Sequence, residues 1–267
     1  MNLLVCVKQV PDTNEIKIDP VTNTLIRAGV PSIVNTFDAY ALELAARIKD
    51  TTPGTRIVVV SMGPPQAKDA LKECLSVGAD AAYLVTDRVF GGSDTLATSY
   101  ILSTAIKAIE EKEGSKFDII FCGKQAIDGD TAQVGPEIAE HMDIPQITYA
   151  VDVTVEGNEA IVKKETDAGH LLLGMNFPCL ITVTKTAYDS RFPSIKSKMA
   201  ANRAEIPMLT AEELVFDAER VGLKGSPTKV KKTFTPVRNK STMVIAEETG
   251  VESAVKLFGI LSDANIV

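Results

Sequence analysis

The residues of this chain that can do chemistry gather in glycine-containing segments rather than around a nucleophile. The richest is Gly123-Lys124-Gln125-Ala126-Ile127-Asp128-Gly129-Asp130-Thr131-Ala132-Gln133-Val134-Gly135. Gly123 and Gly129 permit close backbone approach, Lys124 supplies a cation, and Thr131 or Asp130 can cap a helix starting near Ala132. The free N–H groups and dipole of such a helix favour a phosphate, so the set suits a nucleotide pyrophosphate. It is neither a GxxxxGK[ST] loop nor a GxGxxG fingerprint, and ATP hydrolysis and the standard dinucleotide mode both lose support. Asp128 and Asp130 have two further uses, holding Mg²⁺ or accepting hydrogen bonds from ribose hydroxyls. Carboxylates beside a helix start are more often caps, so no metal site is expected.

Two other segments carry a double meaning. Asn35 and Asp38, in Val34-Asn35-Thr36-Phe37-Asp38, precede a helical stripe and read as an N-cap with an acidic first turn, or as a loop facing the same crevice. In Gly91-Gly92-Ser93-Asp94-Thr95-Leu96-Ala97-Thr98-Ser99, Ser93 can cap the next helix. The same surface of glycine, Ser93, Thr95 and Thr98 also leaves room for a planar ring and offers it hydrogen bonds. His141 and His170, the only two histidines, have no Ser or Cys nearby in a nucleophile context. No catalytic residues are expected, and a nucleotide site without acid, base or nucleophile suggests a cofactor holder. Cys6, Cys74, Cys122 and Cys179 lie far apart without CxxC spacing and read as small buried hydrophobes.

The elements that must position these residues follow from periodicity. Leu3-Leu4-Val5-Cys6-Val7, Ile57-Val58-Val59-Val60, Ala82-Tyr83-Leu84-Val85 and Phe117-Asp118-Ile119-Ile120-Phe121 read as strands buried on both faces. Between them, Ala41, Leu44, Ala45 and Ile48, then Ala97, Ile101, Ala105 and Ala108, fall on helical stripes, with a third helix over about 66–77. This rhythm predicts an α/β fold, a mostly parallel sheet with helices on both faces, in which ligands bind beyond the carboxyl ends of the strands. After about Pro145 the pattern changes to a β-hairpin region turning at Gly157-Asn158, with further strand over 171–175 and 179–184. A last helix is expected over about 250–261.

Charge divides the chain as well. The net charge is −7, yet residues 191–240 carry 11 basic against 5 acidic groups, a balance of +6, beginning at Arg191-Phe192-Pro193. This predicts a body over 1–190 and a C-terminal arm over 191–267 that touches something else, or else a solvated lysine-rich loop. An acidic chain with 5% aromatic residues and no Trp lacks the basic, stacking surface of a single-strand nucleic-acid binder, so nucleic acid is not an expected partner. The longest apolar stretch, 171–183, is interrupted by Asn176 and Pro178 and is too short to span a membrane. The apolar start meets Lys8 and Pro11 before a signal segment can form, and a cytoplasmic location is expected.

Taken together, Val7-Lys8-Gln9-Val10-Pro11-Asp12, Asn35-Thr36-Phe37-Asp38, Ser61-Met62-Gly63-Pro64 and above all the 123–135 segment resemble the beta subunit of electron transfer flavoproteins. The resemblance runs through nearly the whole chain in order. It implies a Rossmann-like adenine-nucleotide-binding fold, a heterodimer with an alpha subunit carrying FAD, and a beta site holding AMP in ordinary members or a second FAD in electron-bifurcating ones. Residues 11–27, the Phe37-Asp38-Ala39-Tyr40-Ala41-Leu42-Glu43 run and residues 91–99 resemble the bifurcating group. There NADH is the donor, and electrons pass to ferredoxin or flavodoxin and, through the alpha FAD, to an acyl-CoA dehydrogenase or related flavoenzyme.

Carried over by position, the implied nucleotide contacts are Cys6, Asn35 to Asp38, Met62, Gly63, and Gly123 to Val134. Arg191-Phe192-Pro193-Ser194-Ile195-Lys196-Ser197-Lys198-Met199 resembles the family's recognition loop, with Ile195 as anchor and Lys196, Lys198 and Met199 around it.

Overall fold

A computed structural model describes residues 1–12, 31–231 and 242–267; the 13–27 part of the bifurcating-type run and Pro236 lie outside the described residues. The chain divides into two compact units, Met1–Lys231 and Lys232–Val267.

In the first unit the strands are β1 (Asn2–Cys6), β2 (Gln9–Pro11), β3 (Ser32–Val34), β4 (Arg56–Met62), β5 (Ala81–Val85), β6 (Ile119–Gly123), β7 (Gln146–Glu156), β8 (Glu159–Thr166), β9 (Gly169–Asn176), β10 (Cys179–Val183) and β11 (Met208–Leu209). The helices are α1 (Thr36–Thr51), α2 (Lys68–Ser76), α3 (Thr95–Glu113), α4 (Val134–Met142) and α5 (Ile195–Arg203). Nine strands form one sheet in the order β11-β5-β4-β1-β6-β10-β7-β8-β9, and β2 pairs antiparallel with β3. From β11 to β7 every neighbour is parallel; β7, β8 and β9 continue as an antiparallel meander through the expected turn at Gly157-Asn158. This is the expected α/β sheet.

The parallel strands read as continuous apolar runs because helices cover both faces. Alternate side chains of β1 go to opposite layers: Leu3 and Val5 join Leu44, Ile48 and Leu71 of α1 and α2, while Leu4 and Cys6 join Ile101, Ile106 and Ile138 of α3 and α4. Of the α3 stripe, Ala97, Ile101 and Ala105 are fully buried and Ala108 is partly so. The strand β11 lies beyond the composition change at Arg191 yet extends the main sheet, and α5 packs on α2. Arg191, at that change, is fixed to α1: its Nε and Nη2 donate to Glu43 Oε2 and Oε1 at 2.9 and 3.0 Å, and Nη2 also to Asp50 Oδ2 at 2.9 Å.

β1 has β4 on one side and β6 on the other, so the chain winds outward from β1 in both directions. The carboxyl ends of β1 and β6 therefore flank a topological switch point, where an open parallel sheet leaves a crevice.

In the second unit, α6 (Gly250–Asp263) matches the expected last helix. It begins with a full capping box, in which Thr249 and Glu252 satisfy each other's backbone N–H. Val251, Val255 and Phe258 on it are exposed.

Candidate functional site

Asn35 and Asp38 build the crevice floor. Asn35 occupies the N-cap position of α1 but makes no capping hydrogen bond, which corrects the expected cap. Its side chain instead crosses to the loop after β6: Nδ2 donates to Gln125 O at 2.8 Å and Oδ1 accepts from Ile127 N at 3.0 Å. The Asp38 carboxylate ties the two central strands together, accepting from Lys8 N at 2.7 Å and Gly123 N at 3.1 Å. Burial outweighs these N–H groups and raises its pKa to about 7. A Cβ at Gly123 would fall on this carboxylate and within 2.8 Å of the Asp38 backbone nitrogen. Glycine is there because the loop must lie against the start of α1.

Beyond Gly123 the loop departs from the expected cap. The helix begins at Val134, not near Ala132, and neither Asp130 nor Thr131 caps it; Gln133 holds the N-cap position without a side-chain hydrogen bond. The physical reason is that Asp130 and Ala132 sit in the left-handed region, at φ 53° and 54°, and the Asp130 carboxylate turns back to accept from Gln125 Nε2 at 2.7 Å. The first N–H groups of α4 are thus left for another acceptor. Likewise Asp94, not Ser93, caps α3, its carboxylate accepting from Ala97 N at 3.1 Å. Ser93 donates to Phe90 O and accepts from Gly222 N, because the segment around Gly222 packs against this turn.

Two cavities adjoin at the switch point. The smaller, about 360 Å³, is lined by Cys6, Asn35, Asp38, Met62, Ser93, Thr95 and Thr98, and by the loop from Gly123 to Gly135 apart from Ile127, Asp128 and Asp130. The larger, about 820 Å³, runs from Gln9 and Pro11 past Gly63 to Gly91 and Gly92, with Asp128 on its wall. They share Lys8, Met62 and Ser93. Most candidate residues from four separate loops therefore converge. Thr36, Phe37, Ile127 and Asp130 line neither cavity; Thr36 is exposed, and Ile127 contributes its backbone N–H to Asn35.

Lys124 reaches between two aromatic rings, its Nζ 5.9 Å from the Phe37 centroid and 5.3 Å from that of Tyr149. Tyr149 has φ 60°, beside the register shift in the pairing of β7 with β10, an unusual backbone state for a bulky residue. Cys6 and Cys122 face each other in the β1–β6 register and both line the smaller cavity. Their mutual hydrogen bond, then burial, holds the Cys122 thiol well above its usual range. His141 packs edge-on to Tyr100 at 5.8 Å, burial lowering its pKa, and His170 is exposed on β9; neither lines a cavity. The groups present can bind and orient a nucleotide.

Sequence reasoning did not assign Lys8, nor the Asp87–Phe90 part of the larger cavity. The available signal was position, since Lys8 lies just beyond the end of β1, after Val7. Away from the cavity linings, Phe192, Ile195 and Met199 are exposed, Ile195 at 84%, and Ser194 caps α5 by accepting from Ser197 N.

An open, mostly parallel sheet with helices on both faces and a glycine-lined crevice at its switch point defines a doubly wound α/β protein. Residues 22–214 match the family described as electron transfer flavoprotein domain. The chain belongs to the electron transfer flavoprotein family. It is 54% identical to the electron transfer flavoprotein subunit beta of Megasphaera elsdenii over 256 residues, covering 96% of this chain and 95% of the relative. It is 45% identical to the caffeyl-CoA reductase-Etf complex subunit CarD of Acetobacterium woodii, with both chains covered in full. With the protein FixA of Azorhizobium caulinodans it shares 44% identity over 96% of this chain and 92% of the relative.

Proposed function

We propose that the chain is the beta subunit of a heterodimeric electron transfer flavoprotein of the bifurcating type, holding FAD across both cavities. The observation that carries this reading is the pair of adjoining cavities. A mononucleotide needs only the smaller one, whereas a dinucleotide with an extended ring system accounts for the larger one and its Gly91–Gly92 wall. The residues present fit the group. The uncapped start of α4 and the backbone after Gly123 suit phosphate, the hydroxyls of Thr95 and Thr98 suit ribose or ring edges, and Gly63 and Gly91 give a ring face access to the backbone. When bound, the flavin supplies the exchange between the hydride of NADH and single electrons, one to ferredoxin or flavodoxin and one through the alpha-subunit FAD to an acyl-CoA dehydrogenase or related flavoenzyme. The chain's own residues bind, orient and shield; none donates or removes a proton in this reading.

Two surfaces support the assembly. Residues 191–267 carry exposed apolar groups, on α6 in the second unit for the alpha subunit and at Ile195 and Met199 in the first for the flavoenzyme, with Lys196 and Lys198 steering an acidic partner surface. CarD is named as part of a caffeyl-CoA reductase complex, which supports a flavoenzyme partner for this chain too. Among the described residues no helix is long and apolar enough to cross a membrane, consistent with action in the cytoplasm.

The test is cofactor extraction from the co-expressed heterodimer. Two FAD per heterodimer, with flavin reduction by NADH, is the expected result. One FAD and one AMP would instead make it an ordinary electron-transferring subunit, and a colourless protein that binds ATP without a flavoprotein partner would make it a nucleotide-binding regulatory domain.

A further inference from the structure

We propose that Lys8 reads the diphosphate of the bound nucleotide, favouring ligands that continue past the first phosphate over mononucleotides. The inference rests on the reading that a dinucleotide spans both cavities.

Among the described residues three belong to both cavity walls, Lys8, Met62 and Ser93, and of these only Lys8 is charged. A ligand extending from the smaller cavity into the larger one passes this junction. In a dinucleotide the diphosphate joins the two nucleoside halves, so its charge falls at the passage. The other lysine and arginine side chains among the described wall residues are placed apart from it. Lys124 lines only the smaller cavity, between the Phe37 and Tyr149 rings, and Arg88 lines only the larger one. This spacing divides the work: Lys124 and the start of α4 serve the phosphate that every adenine nucleotide has, and Lys8 serves the next one.

The side chain of Lys8 leaves from a fixed point. Its backbone N–H is held by Asp38, so the Cα cannot drift from the β1–β6 junction. From there Nζ spans to Asp128 on the opposite loop, at 2.7 Å, with the lysine side chain 48% exposed. A solvated pair of this kind is weak, and a diphosphate carries more charge than one carboxylate. A diphosphate therefore competes with Asp128 for the same ammonium, while a monophosphate in the smaller cavity leaves the Lys8–Asp128 pair intact.

The test is titration calorimetry on the co-expressed heterodimer after removal of its bound beta-site nucleotide, with FAD, ADP-ribose and AMP as probes. Lys8→Gln is expected to weaken FAD and ADP-ribose about 10- to 100-fold, the range for a charge-assisted hydrogen bond, and AMP less than about threefold. Lys8→Arg should restore most of the loss. An unchanged thermal unfolding midpoint shows that the variant has folded. An equal loss for all three probes, or no loss for FAD in a wild-type background that binds it well, overturns the inference alone. A wild-type heterodimer that binds AMP but neither FAD nor ADP-ribose overturns the inference together with the reading beneath it.

Discussion

Asp38 concentrates several demands in one side chain. Its carboxylate joins the ends of β1 and β6 through two backbone N–H groups, and its burial shifts it to about 7. The sign of the consequence follows from linkage. In the folded chain this group keeps its proton up to about pH 7, whereas the unfolded chain releases it above about 3.8. The contribution of Asp38 to stability is therefore largest below pH 4 and is lost as the pH rises towards 7, with a slope of up to about 1.4 kcal/mol per pH unit. Thermal unfolding of wild type and Asp38→Asn between pH 4 and 8 should show the difference between the two shrinking or reversing as the pH rises. A difference constant over that range would place the titration elsewhere. At this scale the sequence was partly legible. Asn35 and Asp38 were visible as crevice candidates, and Asp38 does stand in the first turn of α1, but the side-chain cap offered by Asn35 is not made because its amide bonds a loop 90 positions away. The position of Lys8 just beyond β1 was legible, but its partner Asp128 was not, since that residue lies 120 positions along the chain.

Among the elements, the central strands and the helical stripes were legible because buried faces impose their period on the sequence. The start of α4 was not. Its position depends on Asp130 and Ala132 adopting left-handed backbone, and no residue type there announces that choice. The strand β11, two residues long, is too short for any periodicity to reveal. For the arm, the relation of α1 to α5 gives a test. Arg191 anchors the chain to Glu43 and Asp50 just before the exposed Ile195. Ile195→Ala should lower kcat/KM for the accepting flavoenzyme about 10- to 100-fold, equivalent to about 1.5–3 kcal/mol for an aliphatic side chain buried on docking, with NADH-dependent flavin reduction unchanged. Arg191→Ala should also weaken delivery, and it should destabilise the body by about 1–3 kcal/mol because Glu43 loses its cation, a figure reduced for the partial exposure of Arg191. A parallel fall in NADH-dependent reduction for Ile195→Ala would show that this side chain serves the flavin site instead.

At the scale of the whole molecule, the net charge of −7 conceals a +6 stretch over residues 191–240. Positive charge of this kind acts on association rates at distances set by the Debye length, about 10 Å at 0.1 M salt. Raising ionic strength from about 50 to 500 mM should slow electron delivery to an acidic flavoenzyme about tenfold or more, while flavin reduction by NADH stays within about twofold. Stopped-flow measurement of both steps across a salt series checks this, and a matching salt dependence for the two would remove the steering role. The scarcity of aromatic residues, which first spoke against nucleic acid, also accords with the proposed flavin ligand. The order of the strands was the least legible global property. Sequence succession suggests that β7 follows β6 in space, whereas β10 lies between them.

That insertion has a consequence for synthesis on the ribosome. The strands β1, β4, β5 and β6 can pair as soon as residue 123 has emerged, and the meander β7–β8–β9 can close on itself by residue 176. The two pieces share no strand until Cys179–Val183 is made, and β10 is fully buried, Thr182 being its one polar side chain. A nascent chain halted between these points presents two unpaired parallel-sheet edges, at β6 and β7, to anything nearby. One five-residue strand late in translation thus joins two half-sheets, and the glycine loop after β6 gains its wall at Val183 only at that moment, when Lys124 N finds the carbonyl of Val183 at 2.7 Å.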